Sequence, residues 1–319
     1  MNKQIVCRVL TGPTASGKSA LGLSLAERHG WDIFCMDSMQ VYRRMDIGTA
    51  KPTREEQVRV HHELLDICEP TESFSVAAWR ERAEKLIRKW AEAGKEMLFV
   101  GGTGLYLQAL MQPMGLGEVP ANEERRTELR QLAISEEGKQ ELHRLLEKLD
   151  PETAGRLPLN DTRRVIRAIE VSETSGIPFS RQPDRSEPSP YMWRVISLKM
   201  PREELYDRIN RRVIEMIDRG LPGEVGSLLK EGVPPEAGSM QGLGYKEMIP
   251  YLRGEWTLDQ AAEFIQKGTR HYAKRQETFL RRLTEVRFLD ALSPNLMMQA
   301  EEILCAEQEA EQKNTQRGV

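Results

Sequence analysis

Gly12, Pro13, Thr14, Ala15, Ser16, Gly17, Lys18 and Ser19 carry the spacing G-x-x-x-x-G-K-S/T at every defined position. Residues of these types at this spacing bind polyphosphate. The glycines let backbone N–H groups turn inward, Lys18 reaches the terminal oxygens, and the Ser19 hydroxyl is placed to hold a Mg²⁺ that bridges them. An apolar run at 5–10 precedes the loop and a helical pattern over 17–29 follows it, which puts the positive end of a helix dipole beneath the anion. Taken alone, the motif predicts nucleotide binding, ATP above all. It does not say which bond of the ligand breaks.

Asp37, Ser38, Met39 and Gln40 follow a second apolar run at 32–36, so the carboxylate falls near the phosphate loop. A carboxylate there can ligate Mg²⁺, act as a general base or cap a turn. The apolar run at 97–100 ends in Gly101, Gly102, Thr103 and Gly104 with no acid, whereas a nucleotide-hydrolysing protein carries a Walker-B Asp at such a strand end. That argues against an ordinary ATPase. It leaves a glycine-rich turn suited to close backbone approach to a substrate, with the Thr103 hydroxyl at hand; a strand-to-helix connection needing small residues is the plainer account.

Arginines cluster on three expected helices: Arg163, Arg164 and Arg167; Arg208, Arg211 and Arg212; and a run with Arg270, Lys274, Arg275, Arg281 and Arg282. In the third, Tyr272, Phe279, Leu280 and Leu283 recur at helical spacing and face the core, leaving the cations largely opposite. A solvated face is the usual account of charge on one helix, but three such helices in a chain of net charge −3, which has no global attraction for nucleic acid, favour a focused nucleic-acid surface. A further strand is expected over 62–67, and His61 and His62, adjacent at its start, point to opposite faces, which is poor geometry for joint metal chelation.

The elements that must position these groups alternate strand and helix through the first third, which predicts a parallel sheet flanked by helices. A helix over 75–93 presents Ala78, Ala83, Leu86, Ile87 and Trp90 on one face. From 117 to 188 the texture turns to three charged helices, 122–134, 136–149 and 162–175, and strand character returns at 193–199. The expected fold class is therefore α/β, a P-loop NTPase-like parallel sheet flanked by helices, with an all-helical insertion domain at 117–188 between 1–116 and 189–319. The segment 181–190 is a linker by composition, and the tail after Pro294 predicts a final helix that frays.

Hydrophobic content of 39% with 30% charged residues is that of a soluble globular protein. Arg8 inside the first apolar run predicts no secretory leader, and no apolar run reaches the ~20 residues of a membrane span. Cys7, Cys35, Cys68 and Cys305 lie far apart, so neither a zinc ribbon nor a disulfide framework is predicted. A cytoplasmic, monomeric protein without membrane attachment is the expectation.

The ordered blocks GPTASGKS at 12–19, DSMQVY at 37–42, DIGTAKP at 46–52, VGGTGLYL at 100–107 and TRHYAKRQETFLRR at 269–282 resemble those of the tRNA dimethylallyltransferases, and the likeness runs over nearly the whole chain. HHELLD at 61–66, RRVIRAIE at 163–170 and GLGYKE at 242–247 are similar to further blocks of that family. The resemblance implies transfer of a dimethylallyl group from dimethylallyl diphosphate to N6 of adenosine 37 in the tRNA anticodon loop, with diphosphate released. A carbon–oxygen bond breaks, so no attacking water has to be placed at a γ-phosphate.

By the same resemblance Asp37 is the base, Thr103 contacts the target nucleotide, and Arg212, in the block YDRINRRV at 206–213, stabilises the leaving diphosphate together with the loop and Mg²⁺ on Ser19; Arg208 and Arg211 are its near neighbours in a repetitive stretch. Asp37 to Gln40 and the segment Arg163, Arg164, Val165, Ile166 and Arg167 match regions that contact tRNA in the family, and the basic helices would grip the anticodon stem-loop. The tail lacks the paired Cys and His of a zinc finger, which indicates the bacterial type. A P-loop nucleoside or small-molecule kinase, and a non-catalytic nucleotide-gated RNA-binding protein, are the competing readings.

Overall fold

The computed structural model describes residues 4–112, 119, 122–182 and 189–306. The chain divides into two compact units, Met1–Gln112 with Ser189–Val319, and Pro113–Pro188. The boundary expected at 116–117, most of the linker expected at 181–190 and the end of the tail beyond 306 lie outside the described residues.

The larger unit opens with β1 (Val6–Thr11), α1 (Lys18–His29), β2 (Asp32–Cys35), the short α2 (Arg54–Arg59) and β3 (His62–Glu63). It continues through α3 (Val76–Glu92), β4 (Met97–Val100) and α4 (Gly104–Met111). The second unit holds α5 (Glu123–Leu132), α6 (Glu136–Leu149), α7 (Pro151–Arg156) and α8 (Thr162–Ser175). The chain then returns to the first unit with β5 (Met192–Lys199), α9 (Arg202–Asp218), α10 (Leu221–Lys230) and α11 (Tyr245–Leu252). The 23-residue α12 (Leu258–Leu280), β6 (Val286–Asp290) and α13 (Leu296–Leu304) complete it.

The six strands form one sheet in the order β3-β2-β4-β1-β5-β6, and every pairing is parallel. Val9 sits in register with Phe99 on one side and Val195 on the other. Strands covered on both faces are apolar throughout, and alternation assigns each residue its layer. Cys7, Val9, Met97 and Phe99 share a cluster with Trp79, Ala83 and Ile87 of α3. Leu10, Leu98 and Val100 point the other way, into a cluster with Leu23 and Ala26 of α1 and Ala300 and Leu304 of α13.

Local signals set most element ends. Ser75 accepts the Ala78 N–H at the start of α3, and Gly94 beyond its end is left-handed at φ 65°. The strand expected over 62–67 is instead two residues long. Leu64 and Asp66 adopt φ of 66° and 52°, which breaks the ladder, and the segment turns to hydrogen-bond the backbone of Gln40 and Val41. The short helices α2 and α7 escape a periodicity reading because neither completes two turns. None of the helices among the described residues is long and apolar enough to cross a membrane.

The second unit has its own core, in which Leu129, Leu142, Leu146, Val165 and Ile169 meet. Asp161 caps α8 and Gly176 ends it at φ 68°.

Candidate active site

The carboxyl ends of β1, β2 and β4 lie side by side on one edge of the sheet, where an open α/β sheet presents its ligand site. After β1, Gly12 takes φ 146° and its α-carbon presses against Leu198, where a Cβ would come within 3.1 Å of a carbonyl oxygen. Gly17 is the N-cap of α1 at φ 89° and supplies no side chain, so the first-turn amides of α1 remain open to an anion. Lys18 curls back to the Pro13 carbonyl at 3.2 Å. Burial, reinforced by the Arg212 guanidinium and opposed by Asp37, brings its ammonium down to about 8. Ser19 is exposed, and its hydroxyl makes no hydrogen bond among the described residues.

Asp37 both caps a turn and keeps a free oxygen. Its Oδ1 accepts the N–H groups of Met39 at 2.8 Å and Gln40 at 3.3 Å, while Oδ2 has no partner among the described residues. Thr103 Oγ1 accepts the Ser38 N–H at 3.0 Å and so leaves the amides of α4 uncapped by its side chain. Gln40 is committed to structure: its amide donates to Thr49 and Ala50, and its carbonyl accepts from the Cys35 thiol.

The glycines after β4 correct one expectation. Their close approach is to the protein itself: a Cβ on Gly101 would lie 2.0 Å from the Met36 carbonyl oxygen, one on Gly102 2.3 Å from Gln276 and one on Gly104 2.4 Å from Phe279. The small residues let α12 and the end of β2 close over the sheet edge.

In the arginine cluster at 208–212 of α9, Arg208 is paired with Glu204 at 2.7 Å and Arg211 is exposed near the same carboxylate. Arg212 has no ion pair among the described residues. Its guanidinium is lowered by burial, with Asp37 acting in the opposite sense, so it faces the same space as Lys18 and Asp37. Arg208 also reaches the loop, since its Nη1 is the nearest group to a Cβ built on Gly17, at 3.9 Å.

Sequence reasoning assigned Tyr272 to the core and passed over Gln276. Both line the site. Burial and the Asp37 charge push the Tyr272 phenol up, while Thr103 and Gln276 act in the opposite sense. Gln276, 6% exposed, accepts the Thr14 N–H at 2.9 Å and donates to the Gly102 carbonyl at 2.8 Å. The signal for Gln276 was available: it falls one turn after Tyr272 on the buried side of α12, where an amide needs partners.

The remaining basic residues divide by their partners. Arg270 is held by Asn210 at 2.6 Å, Arg164 by Asp161 and Arg167 by the buried Glu170 at 2.6 Å. Val165 and Ile166 are 1% and 7% exposed in the core of the helical unit, so any RNA-facing members of that segment are limited to its arginines. Arg163, Lys274, Arg275, Arg281 and Arg282 are exposed and free of carboxylate partners among the described residues. His61 contacts Glu63 and His62 contacts the Val60 carbonyl. No cluster of three or more His, Cys, Asp or Glu able to hold a metal occurs among the described residues.

A P-loop sequence on a central parallel strand, no acid after the neighbouring strand and a free carboxylate oxygen on the next place the chain among the P-loop NTPase-like α/β proteins. Comparison with known proteins narrows that class. The IPP transferase family model matches residues 40–283. A tRNA dimethylallyltransferase of Pelotomaculum thermopropionicum is 45% identical, covering 90% of this chain and 91% of its own length. One from Halalkalibacterium halodurans is 44% identical over 88% of this chain and 90% of its own. The crystal structure of the full-length tRNA isopentenylpyrophosphate transferase from Bacillus halodurans aligns with TM-score 0.72 and 40% identity, covering 98% of this chain and all of the other. A eukaryotic dimethylallyltransferase acting on tRNA aligns with TM-score 0.75 and 26% identity over 97% of this chain and 78% of its own. The chain belongs to the tRNA dimethylallyltransferase family.

Proposed function

We propose that the protein transfers a dimethylallyl group from dimethylallyl diphosphate to N6 of adenosine 37 in the anticodon loop of tRNA, releasing diphosphate. The observation that carries this reading is the free Oδ2 of Asp37 beside a phosphate loop whose neighbouring strand β4 ends without an acid.

The adenine amine is a weak nucleophile because its lone pair is delocalised into the ring. Oδ2 of Asp37 takes the N6 proton as the new carbon–nitrogen bond forms, and the two amide bonds to Oδ1 hold the carboxylate in one orientation. The carbon–oxygen bond to diphosphate breaks with its electron pair leaving on oxygen. The open amides of α1, Lys18 and Arg212 are fixed positive groups around that developing charge. Thr103 sets the position of Ser38 and, with Tyr272, forms the wall against which the base would rest. The adenine has to leave its stack to reach Asp37.

The residues suit Mg²⁺. Ser19 offers one free hydroxyl and there is no dedicated cage among the described residues, which matches an ion held by one protein oxygen, substrate phosphates and water. When bound, Mg²⁺ would neutralise charge on the departing diphosphate.

The exposed cations Lys274, Arg275, Arg281 and Arg282 of the α12 region, and Arg163 and Arg164 of α8, supply phosphate contacts to the anticodon stem-loop. Incubation with dimethylallyl diphosphate, Mg²⁺ and unmodified tRNA, followed by mass measurement of the digested nucleosides, tests the reading. One adenosine gaining a five-carbon prenyl unit is the expected result. Turnover of ATP without RNA would replace it with a kinase, and tRNA binding without product with a non-catalytic RNA-binding protein.

A further inference from the structure

Lys199, Arg202, Lys274 and Arg281 surround a cleft of about 560 Å³ at the carboxyl ends of β5 and β6, separate from the Asp37 site. Its floor is apolar: Met200 and Leu205 are 8% and 2% exposed, and Ala15 of the phosphate loop packs on the same cluster. None of the four cations is in an ion pair among the described residues. The lining also holds Glu277 and Asp290, so four cations stand against two carboxylates, in a chain whose net charge is −3. Unpaired like charges around one concavity repel one another, and an anion removes that repulsion. The volume suits an organic ligand of nucleotide size.

Strand order and helix geometry connect the cleft to the reactive site. β5 adjoins β1, so the cleft opens on the same sheet edge as the phosphate loop, about one to two strand spacings (~5–10 Å) away. At about 100° per residue, Lys274, Thr278 and Arg281 lie on the side of α12 opposite Tyr272, Gln276 and Phe279. Arg275 and Arg282 fall between the two sides, on the exposed ridge. A strand of RNA with its reactive base at Asp37 can cross that ridge and descend into the cleft.

We propose that this cleft receives a nucleotide of the tRNA strand flanking the reactive adenosine, its phosphodiester held by Lys199, Arg202, Lys274 and Arg281 and its base lying on the Met200 and Leu205 floor. The inference rests on the tRNA-modifying reading above and adds Lys199 and Arg202 to the RNA-binding residues.

The test is the double variant K199E/R202E beside K230E, which reverses an exposed charge on α10 away from the cleft, with thermal melting to check that each folds. The expected result is a tRNA KM raised at least tenfold in K199E/R202E, with the KM for dimethylallyl diphosphate unmoved. The slope of log KM against log salt should flatten by about 1.4, two contacts at ~0.7 each for single-stranded RNA. The neutral K199Q/R202Q should show a smaller rise of the same kind. A tRNA KM no different from that of K230E overturns the proposal. So does a cleft that binds free adenosine or uridine monophosphate by calorimetry, sensitively to K199E/R202E, with tRNA KM unaffected. Prenyl transfer by the unaltered protein in the same assay tests the underlying reading independently.

Discussion

Gln276 accepts the amide N–H of Thr14 at 2.9 Å, so the helix that carries the basic face also holds the phosphate loop. The same side chain donates to the Gly102 carbonyl at 2.8 Å, tying the ends of β1 and β4 together. Replacing it with Met keeps volume and removes both bonds, leaving buried polar groups unpaired at about 1–3 kcal/mol each. The kcat/KM for dimethylallyl diphosphate should fall about ten- to a hundredfold, while tRNA affinity, carried by exposed cations, stays near its original value. Unchanged kinetics with dimethylallyl diphosphate would remove Gln276 as a positioning residue.

Asp37→Ala should retain tRNA binding and lose turnover by about 10²–10⁴-fold, the range of a general base. Asp37→Asn keeps an oxygen for the Met39 and Gln40 amides but cannot take the proton, so it separates chemistry from turn-capping. Single-turnover prenylation at saturating substrates measures this. Wild-type rates in Asp37→Asn would leave Asp37 only its turn.

Within the cluster Arg208, Arg211 and Arg212, Arg212 is the member without an ion pair among the described residues, and burial lowers its guanidinium in the space shared with Lys18 and Asp37. Arg212→Ala should therefore cost more in kcat/KM for dimethylallyl diphosphate than Arg211→Ala, by roughly 2 kcal/mol or ~30-fold, as for loss of a charge-assisted contact. Arg208→Ala should fall between them, because its guanidinium reaches toward Gly17 while bound to Glu204. Equal losses in all three would point to general electrostatics rather than one contact.

Chelation by EDTA should abolish prenyl transfer while leaving the melting temperature unchanged, because no metal cage occurs among the described residues and Ser19 alone is offered. Added Mg²⁺ should restore activity. A drop in melting temperature on chelation would mean a structural ion instead.

Much of this site was legible because its signals are local in the chain. The phosphate loop, Asp37 and the glycines after β4 each sit where a strand ends, and short continuous apolar runs mark those strands. What was not legible depended on approach between distant segments. Gln276 touches residues 262 and 174 positions away, and nothing near it in the sequence names those partners. The glycines after β4 looked fit to approach a substrate, but their neighbours turned out to be Met36, Gln276 and Phe279. The third strand was expected to be too long because positive φ at Leu64 and Asp66 answers to tertiary bonds with residues 40 and 41.

Asp150 gives the helical unit a distinct acid response. It is 1% exposed, and its two oxygens accept the N–H and hydroxyl of Thr153 and the N–H and hydroxyl of Ser180. Burial alone would push the carboxyl up, but those four bonds bring it down to about 2 from its ordinary 3.8. A carboxylate whose folded value lies below its unfolded one contributes stability that is complete above about pH 4 and is lost as pH falls toward 2. The contribution is on the order of 2 kcal/mol. Asp150→Ala should therefore lower the melting temperature of the α5–α8 unit at pH 7 and cause a smaller loss near pH 2, where the parent has already lost the same contribution. Calorimetry across pH 2–7 measures the difference, and a gap between parent and variant that stays constant with pH would show that Asp150 acts through shape rather than charge.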